Sequence, residues 1–171
     1  MNSPHFLPYL AWLVAIAWVW KAVDAARGLS LIPDITLPEY DVTPEGEPSL
    51  IVIVPARNEA VDIAACLQSL LQQDCANLRI IAVDDRSTDA TGAIMEALAA
   101  EHPVELQVLH VTELPSGWLG KTHAMSFAAH HATSDYLLFT DGDILFRPDA
   151  CRRCLAQAVA SNADHFVTLP T

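Results

Sequence analysis

Between Tyr136 and Arg147 the chain reads Tyr-Leu-Leu-Phe-Thr-Asp-Gly-Asp-Ile-Leu-Phe-Arg. An apolar run stops at two carboxylates, Asp141 and Asp143, with one glycine between them. Acids belong where a buried strand leaves the core. Gly142 lets the backbone turn there and lets a ligand come close. Two carboxylates at this spacing can face one hard divalent cation, Mg²⁺ or Mn²⁺, shared with a diphosphate. The same tripeptide also fits an Asp-Gly hairpin turn between two apolar runs. Taken alone these residues suit both readings, and the elements around them must decide.

Two other apolar runs end in polar clusters. Leu50–Val54 is short, continuous and β-branched, the pattern of a strand buried on both faces, and it runs into Pro55-Ala56-Arg57-Asn58-Glu59. A second strand, Arg79–Val83, runs into Asp84-Asp85-Arg86-Ser87-Thr88-Asp89. Helical spacing of Ile63, Leu67, Leu70 and Leu71 predicts a helix over 61–71. Ile94, Met95 and Leu98 mark another over 91–100, capped by Thr88 or Asp89. Next come a strand over 106–111, a turn-rich loop over 115–120 and a helix over 121–132. The strand over 136–140 precedes a helix over 148–161 with Pro148 in its first turn. His165–Leu169 reads as the start of a fifth strand. Strand and helix alternate throughout, which predicts an α/β domain with a largely parallel sheet flanked by helices. In such a sheet the carboxyl ends of all strands lie on one edge, where ligands bind. The clusters at 55–59, 84–89 and 141–143 must converge there, which favours the cation-diphosphate reading of Asp141 and Asp143. No Gly-rich dinucleotide or P-loop fingerprint is present.

The chain has 171 residues, 52% of them hydrophobic, and a formal net charge of -12. It has length enough for one real core. Its charge excludes a nucleic-acid partner, because no basic stripe exists to neutralise phosphates. Four cysteines, Cys66, Cys75, Cys151 and Cys154, show no metal-ligand spacing beyond one C-x-x-C inside a predicted helix. They read as thiols in a reducing compartment. His130 and His131 read as surface or packing residues and His123 as a site candidate. Trp118 is either a loop that covers ligand or a core anchor.

Three parts are expected. Residues 1–27 hold an uncharged apolar run, Phe6 to Trp20, with Lys21, Asp24 and Arg27 after it. Extended past a snorkelling Lys21 the run can just span a bilayer, with Tyr9, Trp12, Trp18 and Trp20 as interface anchors. A buried or interfacial helix is the alternative. With basic residues on its downstream side only, the segment is no signal peptide, and it places the downstream domain in the cytoplasm. Residues 28–48 carry Pro33, Pro38, Pro44 and Pro48 among acids and predict an extended linker. Residues 49–171 form the folded domain.

Four segments of that domain, in order, resemble motifs of the family 2 inverting glycosyltransferases of GT-A fold. They are Ile-Val-Ile-Val-Pro-Ala-Arg-Asn-Glu (51–59), Val-Asp-Asp-Arg-Ser-Thr-Asp-Ala-Thr (83–91), Gly-Lys-Thr-His-Ala (120–124) and Thr-Asp-Gly-Asp (140–143). Each is weak alone, and the set is specific. The apolar helix and the Gly-Trp-Leu-Gly-Lys form of the third motif look most like the membrane-anchored, hopanoid-biosynthesis-associated members, and so like a bacterial inner-membrane protein with a lipid acceptor. The resemblance implies that Pro55, Ala56, Arg57 and Glu59 line a nucleotide pocket and that Asp85 accepts a hydrogen bond from the base, typically uracil. Asp84 orders the loop. Lys121 approaches the diphosphate or sugar of a UDP-type donor. That fits a lysine at a helix start, which is awkward unless an anion sits there. Asp141 and Asp143 are the D-x-D pair, with Asp143 the direct ligand of a divalent metal that stabilises the departing nucleotide. The carboxylate base that activates the acceptor hydroxyl is absent and expected beyond Thr171, so the chain by itself should bind donor but transfer poorly. The incomplete sheet should also leave an apolar edge or face exposed, with a risk of aggregation. A non-catalytic nucleotide-binding or membrane-tethered module is the alternative. A nucleotidyltransferase is a third reading, weakened because Pro-Ala-Arg-Asn-Glu is not a Gly-rich basic loop.

Overall fold

The computed structural model describes residues 6–29 and 32–168. The chain divides into two compact units, with the boundary between Asp34 and Ile35. The first is one helix, α1 (Phe6–Leu29). From Phe6 to Trp20 it carries no charged residue, and Lys21, Asp24 and Arg27 follow in its last turns. Tyr9, Trp12, Leu13, Ile16, Trp18 and Trp20 are all exposed. Pro8–Gly28 is long and apolar enough to cross a membrane, at a mean hydropathy of 1.3. Its 24 residues measure roughly 36 Å at the α-helical rise.

The second unit is built on a four-stranded sheet of order β3-β2-β1-β4, parallel throughout. The strands are β1 (Leu50–Ala56), β2 (Leu78–Asp85), β3 (Leu106–Val111) and β4 (Tyr136–Phe139). The helices are α2 (Ile63–Leu71), α3 (Thr91–Glu101), α4 (Gly120–His131) and α5 (Ala150–Ala160). Every residue of β1 is buried, as its unbroken apolar run requires of a central strand. Side chains alternate across the pleat. Leu50, Val52 and Val54 face a core with Ile63, Leu67 and Leu70 of α2, Met95 of α3 and Leu155 of α5. Ile51 and Ile53 face the other side, with Ile81, Val83 and Ala124 and Ala128 of α4. Small alanines let α4 approach the sheet closely.

Three expectations need correction. His165–Thr168 form no strand, and Leu169 lies outside the described residues. Phe166, Val167 and Thr168 have strand propensity, but a strand exists only with a ladder partner, and these residues pair with neither sheet edge. The Pro-rich stretch is not uniformly a linker, because the folded unit begins at Ile35. Arg153, buried on α5, donates to the carbonyls of Ile35 (3.0 Å) and Leu37 (2.8 Å) and pairs with Asp149 and Asp41. Arg152 donates to Asp41, Asp74 and the Val42 carbonyl. The two arginines inside the C-x-x-C thus strap residues 35–42 down. A single 3-10 turn, Pro38–Tyr40, lies within the strap. Asp89 does not occupy the N-cap position, which is Ala90, yet it accepts the Thr91 N–H at 3.0 Å and so satisfies the first donor of α3.

β4 is an edge strand, and its Leu137 and Phe139 are exposed, in line with the apolar edge expected. Burial pushes the Cys66 thiol up to about 12 and the Cys154 thiol up to about 11, and all four cysteines are free. Burial raises the Cys75 and Cys151 thiols as well, which disfavours the thiolate at all four positions.

Candidate functional site

Parallel order brings the ends of β1, β2 and β4 to one edge, together with the start of α4. A cleft of about 350 Å³ opens there, lined by Pro55, Ala56, Arg57, Glu59, Asp85, Gly120, Lys121, Asp141 and Asp143. All eight residues named from the sequence are among these nine. A larger hollow of about 670 Å³ lies at the opposite, amino ends of the strands, walled by Ile80, Ala99, Pro103, Val104 and Leu106. Ligands of parallel α/β sheets bind at the carboxyl ends, so the smaller cleft is the candidate site.

Its walls are preformed by hydrogen bonds between two loops. Asn58 has a positive φ of 57°, which asparagine tolerates better than most residues. Its side-chain oxygen accepts the Thr88 N–H (2.8 Å), while the Asn58 backbone N–H donates to Ser87 Oγ (3.1 Å). The Glu59 N–H donates to Thr91 Oγ1 (2.8 Å) and the Ala60 N–H to Asp89 (3.2 Å). Asp84 accepts the Ser87 N–H at 3.0 Å, and so orders its loop as the sequence implied.

Asp85 is buried and points into the cleft. The neighbouring Arg86 grips it with both Nε (2.7 Å) and Nη2 (3.0 Å). Such a fork holds a carboxylate in a fixed orientation. Gly120 sits against this pair. A Cβ there would lie 2.6 Å from Asp85 Oδ2, so a side chain at 120 would displace the acid. Neither Arg86 nor Gly120 was singled out from the sequence. Arg86 stands in the segment 83–91 and Gly120 in the turn-rich loop, with no further role attached to either.

On the far wall Lys121, in the first turn of α4, is ion-paired to Asp141. The positive end of α4 and the lysine therefore face two exposed acids, Asp141 and Asp143. Glu59 stands behind them. Its Oε2 is buried and has no hydrogen-bond partner. Burial, and then the charges of Asp143 and Asp141, push its carboxyl above the ordinary range. Gly142 makes this crowding possible, because a Cβ there would stand 2.1 Å from Glu59 Oε2. Among the described residues no group of three or more His, Cys, Asp or Glu side chains is arranged to hold a metal. The cleft offers a carboxylate pair, a donor set that a cation could share with other oxygen ligands.

His123 does not reach the cleft lining. It lies between Trp118 (5.5 Å, edge-on) and Phe127 (6.2 Å, stacked), with Nδ1 buried and unpartnered. His130 and His131 bond backbone carbonyls of their own helix.

The sequence profile described as Glycosyl transferase family 2 matches residues 51–170. The 4,4'-diaponeurosporenoate glycosyltransferase of Staphylococcus haemolyticus is 34% identical over 148 residues, covering 81% of this chain and 38% of that protein. Its namesake from Staphylococcus aureus (strain bovine RF122 / ET3-1) is 34% identical over 111 residues, covering 64% of this chain and 28% of that protein. Among solved structures, the mannosyltransferase PcManGT from Pyrobaculum calidifontis, in complex with GDP-Man and Mn²⁺, superposes with a TM-score of 0.62. It is 32% identical and covers 87% of this chain and 40% of that one. Staphylococcus aureus TarS 1-349 in complex with UDP gives 0.57 at 30% identity, covering 68% of this chain and 33% of that one. The chain spans less than half the length of each. The parallel sheet with its flanking helices is that of GT-A-like proteins. The resemblance to hopanoid-associated members is not supported, since these relatives are named for 4,4'-diaponeurosporenoate. Neither an apolar helix nor a Gly-Trp-Leu-Gly-Lys loop carries chemistry that tells one apolar acceptor from another.

Proposed function

We propose a donor-binding role from the family to which this chain belongs, glycosyl transferase family 2: its cleft takes a nucleotide-diphosphate sugar, with UDP as the first choice of nucleotide, for hexosyl transfer to an apolar lipid acceptor. The observation that carries this reading is the meeting of Arg57, Glu59, Asp85, Lys121, Asp141 and Asp143 in one cleft at the carboxyl edge of the sheet. Asp85, fixed by Arg86, is the acceptor for an N–H of the base. Pro55 and Ala56 end β1 and form the wall along the nucleoside, and Arg57 offers a cation at its rim. Lys121 and the N-terminus of α4 face the diphosphate, where a helix start and a cation both favour negative charge.

Two exposed carboxylates across a bare glycine, with no third protein ligand among the described residues, fit Mg²⁺ or Mn²⁺ shared with a diphosphate. Asp143 is the direct ligand, and Asp141, which Lys121 holds in place, is the second. When bound, the cation would stabilise charge on the departing nucleotide as a Lewis acid. Gly142 leaves room for Glu59 behind the two acids. Asp85, Asp141 and Asp143 each take a task on the donor side, so none of the three is assigned as the base that deprotonates the acceptor.

The relatives' names favour an apolar acceptor, and α1 gives the chain a bilayer-length anchor. With Lys21 and Arg27 on its downstream side, α1 would lie in a bacterial inner membrane with the folded unit in the cytoplasm. Calorimetric titration of the detergent-solubilised chain with UDP and Mn²⁺ tests the reading. Wild type should bind, and Asp143→Ala should bind at least about tenfold more weakly, the loss of one charge-assisted ligand. Equal affinities would remove the metal site. No binding of UDP or GDP by either would remove the donor site.

A further inference from the structure

His110 lies on β3, outside the cleft, and the functions above do not use it. Its Nδ1 is 3.1 Å from Asp84 Oδ2 and its Nε2 is 2.8 Å from Glu96 Oε1. An ionised carboxylate only accepts hydrogen bonds, so both ring nitrogens must donate. A neutral imidazole has one N–H and cannot do this. The geometry is that of an imidazolium bridging the end of β2 to α3. Gly92 of α3 makes room for it, because a Cβ there would lie 2.6 Å from Asp84 Oδ2 and 3.5 Å from His110 Cε1. The charged groups that act on the ring are Asp84 from β2 and Glu96 from α3.

Asp84 links this bridge to the candidate site. Its other oxygen accepts the Ser87 N–H, and Ser87 Oγ accepts the Asn58 N–H, so the grip on Asp84 reaches both loops of the nucleoside wall. Asp85, the proposed base acceptor, is the next residue along.

We propose that His110 is a positioning residue for nucleotide binding: as an imidazolium between Asp84 and Glu96 it holds the 84–89 loop in place, and donor affinity falls as pH rises and the ring loses its second proton. The inference rests on the donor-site reading above. Its sign follows from linkage. The carboxylates favour the charged ring, and the Glu96 contact is the largest contributor to a raised value for His110. The stabilisation is fully present below the ordinary histidine value of about 6.5 and is lost as pH rises through the raised one. The neutral ring keeps a bond to one carboxylate and turns a lone pair to the other. Because His110 and Glu96 are well exposed, the effect is a several-fold change in affinity and is sensitive to salt.

The test compares the full, detergent-solubilised chain with His110→Gln and Glu96→Gln. UDP affinity with Mn²⁺ is measured by calorimetry from pH 6 to 9, and the imidazole nitrogens are followed by long-range ¹⁵N spectra. Expected results are two protonated nitrogens on His110 at neutral pH and a several-fold fall in wild-type affinity with rising pH. In His110→Gln the profile should keep only the ligand's own titration and match wild type at the alkaline end. In Glu96→Gln the fall should shift to lower pH. A neutral His110 at pH 7, or parallel profiles for wild type and His110→Gln, overturns this inference and leaves the donor site standing. Failure of both UDP and GDP to bind at every pH overturns the donor site and this inference with it.

Discussion

Gly142→Ala separates a site role for the Asp-Gly-Asp turn from a purely architectural one. The added methyl would stand 2.1 Å from Glu59 Oε2 and 3.2 Å from the Ala56 Cβ, against an ordinary contact of 3.4 Å or more. Glu59 must therefore yield by more than an ångström. Its carboxylate is the tip of a flexible side chain, and the buried Oε2 has no hydrogen bond to lose. A rotamer change costs about 0.5–1.5 kcal/mol, and return of a desolvated carboxylate to water offsets part of that. The fold should lose less than about 1.5 kcal/mol, read as a small shift in urea midpoint at unchanged m-value. Binding should respond more. The displaced Glu59 swings toward Asp141 and Asp143 and changes the charge and shape between them, so UDP-Mn²⁺ affinity should fall tenfold or so, about 1.4 kcal/mol. The double variant Glu59→Ala/Gly142→Ala removes the clash and should recover most of the loss, giving a clear coupling energy in the cycle. Additive effects of the two changes, or wild-type affinity in Gly142→Ala, would refute the contact as the cause. A large loss of stability would refute the claim that Glu59 can move freely.

Three further substitutions probe the scaffold. Arg153→Met leaves the Ile35 and Leu37 carbonyls and Asp149 without their donor, and should cost about 2–4 kcal/mol by urea unfolding and open residues 35–41 to proteolysis. Ile53→Ala empties a fully buried site at the centre of the sheet and should cost about 2–5 kcal/mol, measured the same way. Asp135 bonds the Ser49 hydroxyl and N–H, which hold its carboxyl below the usual 3.8. That stabilisation is present above the ordinary value and lost as pH falls through the lowered one. The Tm difference between wild type and Asp135→Ala should therefore be constant at neutral pH and shrink below about pH 4.

The legible parts of this chain were those written in local pattern. β3 runs over the residues expected, 106–111, and β1 is buried throughout, as five consecutive apolar residues demand. The site was legible because parallel order alone dictates that clusters following β1, β2 and β4 share an edge. What escaped the sequence depends on contacts distant along the chain. Arg152 and Arg153 bond residues more than a hundred positions upstream, and no spacing rule ties them to a Pro-rich stretch. The roles of Gly120 and Gly142 appear only when a Cβ is placed against an acid from another loop. His110 reads as an ordinary exposed strand residue until α3 brings Glu96 beside it. The fifth strand was the converse error, propensity without a partner.

The two sides of the cleft also differ in what a ligand must still organise. On the side of the proposed nucleoside wall, residues 58–60 are already bonded to Ser87, Thr88, Asp89 and Thr91. On the side proposed for the phosphates, Asp141, Asp143 and Lys121 stand in solvent, with Lys121 paired to Asp141. On the donor-site reading, the side-chain entropy lost on binding should therefore fall mainly at the exposed end. A base-bearing fragment should dock into a ready shape with a small ordering penalty. The diphosphate end should bind with the larger unfavourable entropy, offset by enthalpy from charge pairing.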